Sequence, residues 1–332
     1  MKRRHFLAAS AGAVAIGNWP APVSGAQALR DDRVRIVTGL RAGLQSLGWI
    51  GAESGIFRRN GLEVTFPNAE SGGPEAAAGL IRGEWEFANT GSSPLIQGVL
   101  DGHDTVILFT PTGPTASGNP VLARPGISEP SQLLGTRIGV LSETGQNTIA
   151  LQVALRAWNV TATLVPLGTN ANIYAALGAR TIDAGVLSPD FRFLGPREFG
   201  LNVIETPGTG FSAAAVGCTR RLIAANRPLV VRLVRAYVET IHFFKTERAA
   251  VIPLLQQFLR FKDRRAVEDA YEFYAPLFQP LPRPAAEGIQ KLLAELALKQ
   301  PAAAQLSLAS VADQSFLDEL ERSGYVRSLY RS

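Results

Sequence analysis

The chain has 332 residues, 46% of them hydrophobic and 18% charged, enough for about two globular units with sizeable cores. Its formal net charge is +5; setting aside Lys2, Arg3 and Arg4 leaves 30 basic against 28 acidic residues, which excludes a nucleic-acid surface built on bulk charge. A single cysteine, Cys218, and three histidines exclude an intrachain disulfide and a multi-Cys or His-based metal centre.

Residues 1–28 have the make-up of an export signal. Lys2-Arg3-Arg4 is the charged start and an apolar run follows from Phe6 to Ile16. Ala26-Gln27-Ala28 is a small-x-small cleavage site, with Ser24-Gly25-Ala26 as an alternative. The run is far shorter than the roughly 20 residues that span a bilayer. Arg3-Arg4-His5-Phe6-Leu7 is similar to a twin-arginine signal, with Lys2 where Ser or Thr is usual. No cysteine lies near the cleavage site to carry a lipid. The expectation is a mature protein free in the periplasm.

Beyond this segment strands alternate with helices. Residues 34–37 predict a strand ending at Thr38-Gly39, followed by Leu40-Arg41 and a polar Gln45-Ser46. Leu47, Trp49, Ile50, Ile56 and Phe57 predict a helix that stops at Asn60-Gly61. Residues 62–66 alternate as a second strand, and Gly73-Pro74-Glu75 opens a helix closed by Gly83. Trp85 and Phe87 alternate with Glu84 and Glu86, the period of a short strand with one buried face. The chain then turns small and polar through Asn89, Thr90, Gly91, Ser92 and Ser93. Pro94 fits a first helical turn, where the N–H it lacks would be unpaired anyway, and Leu95, Ile96, Val99 and Leu100 follow at helical spacing. Residues 105–109 predict a buried strand. The order βαβαβαβ predicts a parallel sheet with helices on its faces.

The Pro/Gly/Ser-rich stretch 111–120 predicts a crossing into a second unit. There, 131–135 predicts a helical turn and 137–141 a strand. Ser142, Thr144, Gly145, Gln146, Asn147 and Thr148 form a second polar cluster before a helix running to about Trp158. Residues 163–167 predict a strand, 174–177 a helix, and 182–187 a strand ending at Ser188-Pro189-Asp190; 202–204 closes the unit. Residues 211–217 predict a strand returning to the first unit. Asn226 caps a long helix with Pro228 in its first turn, and 248–261, 263–278 and 284–298 are helical. The expected organisation is a signal segment 1–28, a first lobe 29–117, an inserted second lobe 118–211, and the rest of the first lobe, largely helical, 212–332.

Two stretches therefore share one design: strand, small polar cluster, helix start. A helix start offers free N–H groups and the positive end of the dipole, which suits an anion or a polar head group. Each is equally a plain Ser cap when taken alone. The candidate ligand groups are Arg41, Gln45 and Ser46; Asn89, Thr90, Gly91, Ser92 and Ser93; Ser142, Thr144, Gly145 and Gln146; and Ser188 and Asp190. Arg41 could pair bidentately with a carboxylate or sulfonate, or be a solvated surface arginine. A buried Asp190 would oppose an anion and suits an amine, a hydroxyl or a hinge. Cys218, at the end of an apolar run, reads as a buried structural thiol.

Four segments resemble the periplasmic substrate-binding proteins of ABC importers, in the group that handles nitrate, aliphatic sulfonates, taurine and thiamine-pyrimidine precursors. Gly55-Ile56-Phe57-Arg58-Arg59-Asn60-Gly61-Leu62-Glu63-Val64 matches that group's G-x-F-x-x-x-G-L-x-V run. Gly83-Glu84-Trp85-Glu86-Phe87-Ala88 matches G-x-x-D-F-G, with Glu86 for Asp and Ala88 for Gly. Residues 175–184 match A-A-L-x-x-G-x-I-D-A with Arg180 replacing Gly, and 313–320 resemble D-x-S-F-x-x-E-L. The resemblance covers roughly 33–330. It implies an α/β, type II periplasmic-binding-protein fold: two lobes, each a mostly parallel sheet flanked by helices, with the ligand cleft between them. It further implies a small anionic organic solute (a sulfonate, carboxylate or relative), an ABC permease in the inner membrane as partner, a monomer, no cofactor and no nucleic acid. The alternatives are an enzyme on the same fold, desulfinase-like or pyrimidine-synthase-like, and a solute sensor for a membrane receptor. Neither enzyme pattern can be drawn with one cysteine and isolated histidines.

Overall fold

The computed structural model describes residues 32–67, 72–113, 119–211 and 214–331. The export-signal reading of 1–28 and parts of both predicted crossings lie outside them. Among the described residues ten strands form two sheets: β1 (Asp32–Thr38), β2 (Leu62–Thr65), β3 (Phe87–Thr90), β4 (Thr105–Phe109), β5 (Val121–Ala123), β6 (Arg137–Val140), β7 (Thr163–Pro166), β8 (Ala184–Val186), β9 (Asn202–Ile204) and β10 (Ala215–Thr219). The first sheet has the order β2-β1-β3-β10-β4 and the second β7-β6-β8-β5-β9.

The two orders are the same permutation. In each, one strand runs against the rest: β10 is antiparallel to β3 and β4, and β5 to β8 and β9. Each reversed strand is the first laid down after the chain crosses from the other sheet. The parallel order expected for the first unit is thereby interrupted, since β10 separates β3 from β4. The reason is burial: all five residues of β10 are buried, and only an interior slot pairs both edges of such a strand.

Helices cover the sheets. α1 (Leu47–Glu53) and α2 (Ile56–Arg59) replace the single helix expected there, because Gly55 adopts φ 76 and interrupts it. α3 (Gly73–Arg82) and α4 (Ser92–Leu100) follow in the first unit; α5 (Gln146–Ala157), α6 (Asn170–Gly178) and α7 (Phe191–Phe199) belong to the second. After β10 come α8 (Arg220–Ala225), α9 (Arg227–Thr246), α10 (Arg248–Leu259), α11 (Arg264–Tyr274) and α12 (Ala286–Ala297). α9 begins as its sequence dictates: the Asn226 side chain accepts the Leu229 N–H at 3.2 Å, with Pro228 in the first turn. Its stripe of Val230, Leu233, Val234, Tyr237, Val238, Ile241 and Phe244 is fully buried. Each such side chain contributes about 1.5–3 kcal/mol of hydrophobic stabilisation.

The second unit is fastened to the C-terminal helices through α7. Phe191 meets Phe261 edge-on at 5.2 Å, and Arg192 lies over the Phe273 ring at 4.8 Å. Arg197 pairs with Asp269 at 2.6 Å. Among the described residues no helix is long and apolar enough to cross a membrane.

Candidate ligand-binding site

The site lies where parallel strands end and helices begin, the usual crevice of open α/β sheets. β3 is the middle strand of the first sheet, between β1 and β10, and all four of its residues are buried. This corrects the expected strand with one buried face over 84–87. Trp85 precedes the strand and donates its indole N–H to the Ala76 carbonyl at 2.7 Å. Glu86 turns back to the first sheet's β1, accepting the Arg35 backbone N–H at 2.7 Å. Asn89 and Thr90, expected in a loop, are the last two residues of the strand.

Thr90 sits in a tight corner. A Cβ on Gly73 would lie 2.6 Å from its Oγ1, and one on Gly39 3.1 Å. α4 starts two residues on, with Gly91 at the cap position and Pro94 in the first turn. Asn89 donates its side-chain N–H to the Gln45 carbonyl at 2.9 Å, tying the strand to the 3-10 turn Gly43–Gln45. The polar side chains of this jaw are buried yet unmatched. Among the described residues Gln45 Oε1, Asn89 Oδ1, Thr90 Oγ1, Ser92 Oγ and Ser93 Oγ have no hydrogen-bond partner. Buried polar atoms are nearly always paired, so five unmatched at one place stand out.

The facing jaw is the start of α5. Ser142 Oγ accepts the Gly145 N–H at 3.0 Å, and Thr148 Oγ1 donates to the Ser142 carbonyl at 2.5 Å, which shapes the turn after β6. Gln146, the first residue of α5, reaches across: its Oε1 accepts the Ser93 N–H of α4 at 3.2 Å. A Cβ on Gly91 would lie 2.8 Å from that oxygen, so this approach needs glycine there. Below, Asn170 at the start of α6 donates to the Ser188 hydroxyl.

Between the jaws lies a cavity of about 40 Å³. From the first unit Gln45, Thr90, Gly91, Gly39, Gly73, Leu40, Leu44 and Pro94 line it; from the second, Ser142, Gly145, Gln146, Asn147, Ser188, Leu141 and Pro189, with Asn119 at the crossing. Among the described residues no charged side chain lines it. Of the candidates read from sequence, Gln45, Thr90, Gly91, Ser142, Gly145, Gln146 and Ser188 are thus brought together. Asn89, Ser92 and Ser93 are buried beside the lining residues.

Four candidates are placed elsewhere. Arg41 donates to the Phe258 carbonyl at 2.8 Å and lies over the Phe258 ring at 5.4 Å. Ser46 donates to the Gly43 carbonyl at 2.6 Å, and Thr144 is exposed. Asp190 is completely buried at the base of the cleft, where it accepts the Gly43 N–H at 2.9 Å and so links the two units. Burial pushes its carboxyl up to about 6, against the Tyr274 hydroxyl and the Gly43 N–H, which favour the charged form. Sequence reasoning missed Gly39, Gly73 and Asn119. The Gly72-Gly73 pair before Pro74 was the available signal for a close backbone approach.

No family model and no curated protein matches the sequence. Solved structures do. The alkanesulfonate-binding protein of Xanthomonas axonopodis pv. citri, bound to MOPS, superposes with a TM-score of 0.72 at 19% identity, covering 86% of this chain and 100% of that one. The periplasmic aliphatic sulphonate binding protein of Escherichia coli gives 0.64 at 17% identity, over 85% and 92%. The periplasmic nitrate-binding protein of Synechocystis PCC 6803 gives 0.68 at 11% identity, over 88% of each. With two sheets of identical strand order and a cleft between them, the chain has the two-lobed fold of periplasmic substrate-binding proteins.

Proposed function

We propose that this protein is the solute-binding component of an ABC importer. Its first 28 residues export it, the mature monomer captures a small polar solute between α4 and α5, and an inner-membrane permease receives the loaded form. The observation that carries this reading is the set of buried, unmatched polar atoms at the β3–α4 corner, facing a second helix start across a cavity. The structural neighbours named for sulfonates and nitrate put small polar solutes of that size first in the screen. A catalytic reading has less support. Cys218 is buried within β10, where burial holds its thiol protonated, and nucleophilic chemistry needs the thiolate. Among the described residues no group of three or more His, Cys, Asp or Glu could hold a metal ion.

The test is a thermal-shift screen of the purified protein against small sulfonates, carboxylates, nitrate, amides and pyrimidines. One class should raise the midpoint in a saturable way, as a ligand that binds only the folded state must. The bound compound should be recovered unchanged. Turnover of that compound, or no stabilisation by any small solute, would sink the reading.

A further inference from the structure

We infer that the solute held in this cleft is uncharged and carries hydrogen-bond donors as well as acceptors, with a carboxamide or urea group as its recognised end. The inference rests on the solute-binding reading above and narrows it from small polar solutes to one chemical class.

Two independent observations carry it. The first is the donor and acceptor balance of the lining. Gln45 is 4% exposed and its side-chain oxygen has no hydrogen-bond partner among the described residues. Thr90 is 1% exposed and its hydroxyl is likewise unmatched. On the facing jaw the Asn147 side-chain nitrogen is the unmatched atom. An amide carbonyl oxygen accepts only, so Gln45 needs an N–H or O–H from the solute. A sulfonate, nitrate or carboxylate has only acceptors to give it. Neither charge flanking the lining is among the residues that line it: Arg41, next to Leu40, is bonded to Phe258, and Asp190, next to Pro189, accepts the Gly43 N–H with one oxygen. Among the described residues that line it there is no side-chain cation to neutralise an anion.

The second observation is Gln146. Its carboxamide oxygen already accepts the Ser93 N–H at the start of α4 and fits over Gly91. The helix start thus accepts a neutral amide oxygen at hydrogen-bond distance. A solute amide can make the same kind of contact with its own carbonyl at the unmatched Thr90 hydroxyl or Asn147 side-chain N–H while its N–H₂ turns to Gln45. The cavity of about 40 Å³ suits a small group of this kind, since one water needs roughly 10–15 Å³ by the same measure.

The experiment is calorimetric titration of the purified protein with isosteric pairs: acetamide against acetate, urea against nitrate, and methanesulfonamide against methanesulfonate. The neutral member of each pair should bind at least about tenfold tighter, because a site built to receive an N–H rejects the analogue without one. Gln45→Leu should abolish that preference while the unliganded thermal midpoint stays near wild type. If Gln45→Leu fails to fold, Thr90→Val in the same titration reads the same preference, with a loss of about fivefold or more expected. Anions binding as tightly as their neutral partners, or a preference untouched in the variant that folds, would overturn the inference and leave the importer reading standing. Absence of binding by both members of every pair, together with a blank solute screen, would overturn both.

Discussion

The two polar clusters look alike in sequence and differ in how their hydroxyls are engaged. After β6, Ser142 and Thr148 bond within their own turn, and Thr144 faces solvent. After β3, Thr90, Ser92 and Ser93 are buried with unmatched oxygens. A buried polar group without a partner costs about 1–3 kcal/mol, so the first cluster, unmatched among the described residues, is costly as it stands. The hydroxyls of the second turn that are not exposed are engaged within it, and the turn leads into Gln146 and Asn147. One jaw carries most of the unmatched side-chain atoms; the other is tied down largely within its own turn.

The largest effect is expected where the jaws are held together. Asp190 at the base of the cleft binds its proton more tightly in the folded chain than in the unfolded one, since burial raises its carboxyl from 3.8 to about 6. Its contribution to stability is therefore fully present below the unfolded value and is lost as pH rises through about 6. A shift of about two units corresponds to ~3 kcal/mol. Arg192 and the Tyr274 hydroxyl are the other polar groups that bear on it. Denaturant melts of wild type and Asp190→Asn should diverge between about pH 4 and pH 7, wild type losing up to that amount relative to the variant. Parallel profiles would remove Asp190 as a titrating link between the units.

The next effects separate the jaws themselves. Gly91→Ala places a Cβ 2.8 Å from Gln146 Oε1 and 3.0 Å from its Cβ, so the jaws meet before they close. Gly91 has φ −72 and ψ 161, which alanine adopts freely, so the fold should tolerate it. Affinity for the solute found by screening should fall about a hundredfold, ~2.7 kcal/mol. Thr90→Val removes an unmatched hydroxyl at nearly constant shape. It should weaken binding about tenfold and leave stability unchanged or slightly higher. Ser142→Ala removes a turn bond instead, and should cost ~1 kcal/mol of stability with affinity within about threefold of wild type. The opposite pattern, measured by titration and denaturant melts of the same two variants, would exchange the roles assigned to the jaws.

The contrast was half legible in the sequence. α9 is given by Asn226, Pro228 and its apolar stripe, and α5 ends at Trp158 as its periodicity predicts, because both are decided by neighbours in sequence. β3 was displaced by three residues, since its burial on every side by β1, β10 and the helices erases the alternation that marks a half-exposed strand. α7 escaped because Pro196 punctuates it, and β5 because three residues carry no period. At the site, the polar residues after each strand were legible as a class. Which hydroxyls would be engaged locally was not, since that depends on turn geometry. Nor was the contribution of Gly39 and Gly73, whose value is the side chain they lack.

Arg41 gives the smallest predicted effect and the sharpest check on a cleft without cations. Its sequence position, just after β1, suits an arginine that clamps an anion. Its actual partner lies 217 residues away, at the Phe258 carbonyl, and its guanidinium lies over the Phe258 ring. Burial lowers its pKa, with Arg260 acting in the same direction, yet an arginine stays charged. Its charge is therefore present but directed at α10, where a helix's C-terminal carbonyls favour a cation. Arg41→Leu keeps an apolar stem against the ring and loses the bond. The expected cost is ~1 kcal/mol of stability, read in denaturant melts, with solute affinity within about twofold of wild type. A tenfold or greater loss of affinity at unchanged stability would mean that Arg41 swings into the cleft on binding, and the guest would then be an anion after all.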